Sequence, residues 1–128
     1  MNPPAQDRPR RASPKALLGL VLLVLAVSLA QQWWAGRHEQ RLGAQVASLA
    51  RDGDIRVLSS ENCAICSVAR LWLRENKVQH SECLIERDSV CRAQHEAMRA
   101  TGTPVLVVRG QPLQGWNPEL LLVALQRG

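Results

Sequence analysis

The sequence predicts a small α/β domain built on a four-stranded mixed sheet, in the order β-α-β-α-β-β-α, preceded by one apolar helix. Three observations carry this expectation. An uncharged run extends from Ala16 to Gly36 and is densest in Leu, Val and Ala from Leu17 to Ala30. After residue 55, short β-branched runs alternate with segments of helical spacing and length. Clusters of Gly, Pro, Asn, Asp and Ser punctuate nearly every junction between them.

Residues 1–15 hold four prolines and four cations (Arg8, Arg10, Arg11 and Lys15), too little apolar surface to offset the entropy of ordering, and are expected to be a disordered tail. Residues 16–36 follow as a helix that just crosses a hydrocarbon core of ~30 Å, with Leu17–Trp34 in contact with lipid. Trp33 and Trp34 stand at its far end, where indoles favour the headgroup layer, which suits a retained signal anchor. The alternative is a signal peptide cut after Ser28-Leu29-Ala30. Either way the rest of the chain is exported. The cations before the run outnumber Arg37 and Arg41 after it, so the N-terminus is expected in the cytoplasm. Residues 37–54, with Leu42, Val46 and Leu49 at helical spacing, read as a short amphipathic helix or semi-rigid stalk that Asp52-Gly53-Asp54 ends.

The domain proper is expected over residues 55–128. Ile55–Leu58 is its first strand, and Ser59-Ser60-Glu61-Asn62 turns it into a helix from Ala64 to Asn76. Val78–Ile85 reads as a second strand although Gln79, His80, Ser81 and Glu82 are poor strand formers. Asp88 or Ser89 can cap a helix from Val90 to about Ala100, which Thr101-Gly102 ends. Val105–Val108 is a buried strand, turned by Arg109-Gly110-Gln111 into a short strand at Leu113-Gln114. Asn117-Pro118 supplies an N-cap and an N1 proline for a last helix through Gln126.

The chemistry is expected at Cys63-Ala64-Ile65-Cys66. Cys63 stands where the first turn feeds a helix, and there free N–H groups and the helix dipole favour a thiolate. Cys66 follows one turn later, placed to attack a mixed disulfide on Cys63 and release its partner. Ser67 rather than His follows Cys66, so covalent haem attachment is excluded. Gly102-Thr103-Pro104 precedes the buried strand at the same end of the sheet, where residue 103 can offer backbone groups to an extended substrate and the proline is a candidate cis peptide. Cys83 and Cys91 flank a sharp turn and are open to two readings, a structural disulfide or a second redox pair. A different class is zinc: C-x2-C-x16-C-x7-C begins like a zinc ribbon, which would make the domain a docking module, but its second pair is widely spaced and the thiols would have to stay reduced after export.

Cys63-Ala64-Ile65-Cys66, Gly102-Thr103-Pro104-Val105 and Gly115-Trp116-Asn117-Pro118-Glu119-Leu120 together resemble the glutaredoxin branch of the thioredoxin fold over residues 55–128. The resemblance implies a thioredoxin-like, glutaredoxin-type fold that acts as a thiol–disulfide oxidoreductase in the bacterial periplasm. It implies Cys63 as nucleophile, Cys66 as resolving thiol and Thr103-Pro104 as substrate platform. Protein thiols and disulfides are the expected partners, with an electron donor or acceptor the sequence does not name, and no cofactor. Ala64-Ile65 replaces the Pro-aromatic pair of glutaredoxins, Gly115-Trp116 stands where they have Gly-Gly, and no cation precedes Cys63, all of which count against glutathione as partner.

Trp72 is expected in the core, and Trp116 either lines the substrate groove or packs under the last helix. His38, His80 and His95 read as solvated surface. The net charge of +5 does not point to nucleic acid: four cations lie in the tail, and the rest of the chain has no basic stripe interleaved with aromatics.

Overall fold

The computed structural model describes residues 13–128, so most of the expected tail lies outside the described residues. Helix α1 spans Pro14–Leu49, starting two residues before the expected Ala16, with Pro14 at a position where its missing N–H costs nothing. Among the described residues, those up to Arg37 form one unit and His38–Gly128 a second. In the first unit the leucines and valines from Leu17 to Leu29 are about half exposed or more, and α1 is long and apolar enough to cross a membrane. Near the end of that unit the Arg37 guanidinium lies 3.6 Å from the centre of the Trp33 ring, a cation–π contact one helical turn apart.

The second unit contains β1 (Ile55–Ser59), α2 (Ala64–Glu75), β2 (Ser81–Leu84), α3 (Ser89–Ala97), β3 (Val105–Val108), β4 (Gln111–Gln114) and α4 (Pro118–Arg127). The sheet order is β2-β1-β3-β4. β1 runs parallel to β2 and antiparallel to β3, which is antiparallel to β4. Strand alternation sorts the core into two layers. Ile55 and Val57 of β1 with Leu106 and Val108 of β3 pack against Leu73 of α2 and Leu121 and Leu125 of α4. Leu58, Val105 and Val107 turn to the other face, where Cys91 of α3 covers them.

The 37–54 segment, expected as an amphipathic helix or a semi-rigid stalk, packs against the domain. It is helical to Leu49, and Leu42, Val46 and Ala50 are buried in the same cluster as Ile55 and Leu73. A domain of this size gains substantially from one more apolar face over an otherwise thin layer. Gly43 permits the approach: a Cβ there would collide with the Asn76 side chain at the end of α2. Arg109 fastens the junction by donating to the carbonyls of Leu49 and Leu125 and to the Asp54 carboxylate at 3.0 Å. That hydrogen bond, with another from the Arg51 N–H, holds the Asp54 carboxyl below its usual value.

Two helices end earlier than expected, for one reason. Lys77 and Arg99 adopt left-handed conformations (φ 55° and 52°). Val78 N–H then bonds Leu73 O, and Ala100 N–H bonds His95 O, which closes each helix as a Schellman motif. Val78 is buried against Leu73 by that closure rather than paired in a strand, so the second strand begins at Ser81, not Val78. Arg109 (φ 49°) and Gly110 (φ 85°) form the two-residue turn between β3 and β4, the geometry of a type I′ hairpin.

Candidate active site

The site is assembled at the end of the sheet where β1 stops. Ser59 ends the strand, Ser60–Asn62 turn, and Cys63 caps α2 in an extended conformation (φ −130°, ψ 100°). Its Sγ takes the place a Ser or Asp oxygen commonly holds, accepting the Cys66 N–H at 3.1 Å. That contact and the positive end of α2 favour negative charge on this sulfur. Cys63 is half-buried, whereas Cys66 is wholly buried, and the two are joined in a disulfide with Cα atoms 5.2 Å apart. The more accessible sulfur of the pair stands at the helix head and the hidden one lies one turn behind it.

The proline loop closes the other side. The Thr103-Pro104 peptide is cis, and Thr103 O lies 3.5 Å from Cys63 Sγ. Ser60 Oγ and Thr103 Oγ1 share a hydrogen bond of 3.0 Å, which ties the loop before Cys63 to the loop before β3. Gly115 N–H bonds Pro104 O and brings the start of the 115–120 segment to the same place. The Trp116 indole meets Trp72 edge-on at 5.4 Å between centroids and packs against the core. Trp72, half-buried as expected of a packing residue, also donates to Glu39 at 3.0 Å.

Cys83 and Cys91 form the second disulfide, with Cα atoms 6.1 Å apart. Cys83 pairs with Leu58 and shares its face of the sheet, so this bond lies in the α3 layer. Cys66 faces the sheet from α2, on the opposite side. With all four sulfurs in disulfides, the four-thiolate set considered for zinc is not formed, and no other group of three or more His, Cys, Asp or Glu converges among the described residues. His80 is half-buried with Nδ1 on Val78 O, and His95 Nε2 reaches Gly102 O at 2.9 Å; neither is simply solvated surface.

Sequence reasoning missed the supports of the site. Ser60 gave no signal beyond its turn. Glu61, which pairs with Arg87 through its carboxylate and donates its N–H to Glu86, is legible only once β2 is beside β1. Ser59 was readable: it follows Ile55 and Val57 at strand period, so a hydroxyl stands at a core-facing position.

Among solved structures, the domain is similar to the thioredoxin-like protein BC3987, with 24% identity over 55% of this chain and 97% of the other and a TM-score of 0.50. A point mutant of that protein gives a TM-score of 0.53 at 24% identity, covering 58% of this chain and 96% of its own. A mutated buckwheat glutaredoxin aligns over 71% of this chain and 94% of its own, at 14% identity and a TM-score of 0.47. No family model and no curated protein matches the chain. The second unit thus has a thioredoxin-like fold that carries a Cys-x-x-Cys pair at the head of α2.

Proposed function

We propose that the chain is a membrane-tethered thiol–disulfide oxidoreductase that acts through Cys63 and Cys66 on exported proteins. The observation that carries this reading is the position of Cys63 Sγ, at the helix N-terminus, 3.1 Å from Cys66 N and 3.5 Å from Thr103 O. In the reducing direction, the Cys63 thiolate attacks a substrate disulfide, forming one S–S bond and expelling one substrate thiolate, which takes up a proton. Cys66 then gives up its proton and attacks Cys63, the Cys63–Cys66 bond forms, and the second substrate sulfur leaves. Two electrons pass from the dithiol to the substrate. The reverse sequence oxidises a substrate dithiol.

Thr103 and Pro104 form the platform in this reading, with the Thr103 backbone offered to an extended segment of the substrate. Ile65 and Val68, each 53% exposed beside the pair, give that platform an apolar rim suited to protein substrates. The apolar part of α1 anchors the domain, with the N-terminus cytoplasmic and the redox domain on the periplasmic side of a bacterial inner membrane. Cys83–Cys91 serves as a staple.

The test is differential alkylation with mass mapping on the full chain in detergent, equilibrated across dithiothreitol redox buffers. Cys63–Cys66 is expected to titrate as one reversible pair while Cys83–Cys91 stays oxidised. A Cys63–Cys66 bond that never exchanges, in a protein that remains folded, makes the domain a docking module instead. Recovery of a mature chain beginning at Gln31 replaces the anchor with a cleaved signal.

A further inference from the structure

Ser59 is the one buried polar residue among the described residues, at 0% exposure, and its Oγ has no hydrogen-bond partner. An unpartnered hydroxyl in a core is costly, and an alanine would fill the same position without that cost. Its surroundings show where a partner is available. Along β1 the side chains alternate, so Ser59 follows Ile55 and Val57 to the face that α2 covers. Leu84, its neighbour on β2, lies next to Cys83, whose side chain takes the opposite face. Because β1 and β2 are parallel, α2 returns antiparallel to both. The buried face of α2 is Cys66, Ala69 and Leu73. Leu73 packs with Ile55 and Val57 at the start of β1, which sets Cys66, two turns earlier in α2, over Ser59 at the end of β1.

We propose that the Ser59 hydroxyl is the hydrogen-bond donor to the Cys66 sulfur when the Cys63–Cys66 disulfide opens, and that it thereby favours the dithiol over the disulfide. The proposal rests on the redox reading above. In the disulfide, the Cys66 sulfur is a neutral, weak acceptor, and the hydroxyl goes unpartnered. In the opened pair, the same sulfur is a thiol or thiolate, and a thiolate is a strong acceptor. Reduction by dithiothreitol breaks the Cys63–Cys66 bond, leaves cyclic dithiothreitol disulfide, and passes two electrons to the two protein sulfurs, while the two thiol protons of dithiothreitol go to those sulfurs or, where one stays a thiolate, to solvent. Ser59 stabilises the product side of that balance.

No other group is placed to do this. Among the described residues no carboxylate, amine or imidazole is buried. Glu61, on the loop before Cys63, is paired with Arg87, and Arg70, one turn beyond Cys66, is paired with Glu82. His95 is held to Gly102 O beside the proline loop, and Ser60 is engaged with Thr103.

The experiment compares wild type, Ser59→Ala and Ser59→Thr as full chains in detergent, equilibrated with the dithiothreitol couple and scored by alkylation mass. Ser59→Ala is expected to shift the equilibrium toward the disulfide about tenfold, a potential about 30 mV more negative. In a Cys63→Ser background the same change moves the pH profile of Cys66 alkylation upward by about one unit, and Ser59→Thr restores both readouts. Removing an unpartnered hydroxyl leaves the melting temperature of the oxidised protein unchanged or higher, so a shifted potential is not a folding defect. A wild type that titrates beside a Ser59→Ala variant of equal potential and equal profile overturns this role and leaves the redox reading standing. A wild-type pair that does not titrate overturns both.

Discussion

Replacing Cys83 and Cys91 together by alanine separates a structural bond from an electron relay, because the two roles lose different things. The bond joins residues eight apart in sequence, so it closes a loop of about nine residues in the unfolded chain. Loop-closure entropy for that length is worth about 2.5 kcal/mol. Cys91 is wholly buried against Leu58, Val105 and Val107, so removal of its sulfur adds a small cavity cost of the same sign. At about 4–8 °C per kcal/mol for a domain of this size, the melting temperature falls by about 10–20 °C. Exchange at Cys63–Cys66 is expected to persist below that temperature, since Cys83 and Cys91 lie in the α3 layer while Cys66 meets the sheet from α2. The assay is thermal unfolding of the full chain in detergent, followed by reduction of a disulfide-bonded peptide well below the melting transition. A double variant that melts like wild type but no longer turns over refutes the staple and makes the second pair an obligatory redox partner of the first.

Three further outcomes test other parts of the structure. Cys66→Ser is expected to accumulate a mixed disulfide between Cys63 and a substrate peptide, visible as an added mass, while Cys63→Ser forms none; an adduct on Cys66 in the latter would reverse the two roles. Gly43→Val forces a side chain into Asn76 and is expected to cost about 1–3 kcal/mol in urea unfolding, whereas no loss would show that α1 does not belong to the packed domain. The Asp54–Arg109 pair depresses the folded-state value of Asp54, so its contribution is complete above the unfolded carboxylate value of about 3.9 and is lost as pH falls through the folded one. The melting-temperature gap between wild type and Asp54→Asn should therefore be constant above about pH 5 and close below about pH 4; a gap that ignores pH removes Asp54 from the acid response.

Much of the fold was legible because it is signalled locally. Val105–Val108 is continuous and apolar, Asn117-Pro118 is a cap followed by a residue that needs no donor, and Ala64–Glu75 repeats its apolar positions at helical period. The pair at Cys63 and Cys66 could be found the same way, since strand, turn, cysteines and helix are contiguous. Where local signals were weak, boundaries moved. Val78 looked like the start of a strand, but hydrophobic closure of α2 claimed it, and Lys77 and Arg99 took left-handed conformations that favour Gly or Asn on sequence grounds alone.

The amino-acid sequence by itself determined the sequence of elements, an apolar segment of membrane-spanning length, and a dithiol at the head of a helix, because each depends on residues within a few positions of one another. Only the tertiary structure decided what those elements meet. It put Leu42 and Val46 into the core, set Trp116 against Trp72, laid the Cys83–Cys91 bond in the α3 layer, and left the Ser59 hydroxyl buried under α2. Each of these depends on which face of a strand or helix its neighbours cover, and that is settled by packing between distant segments rather than by spacing along one.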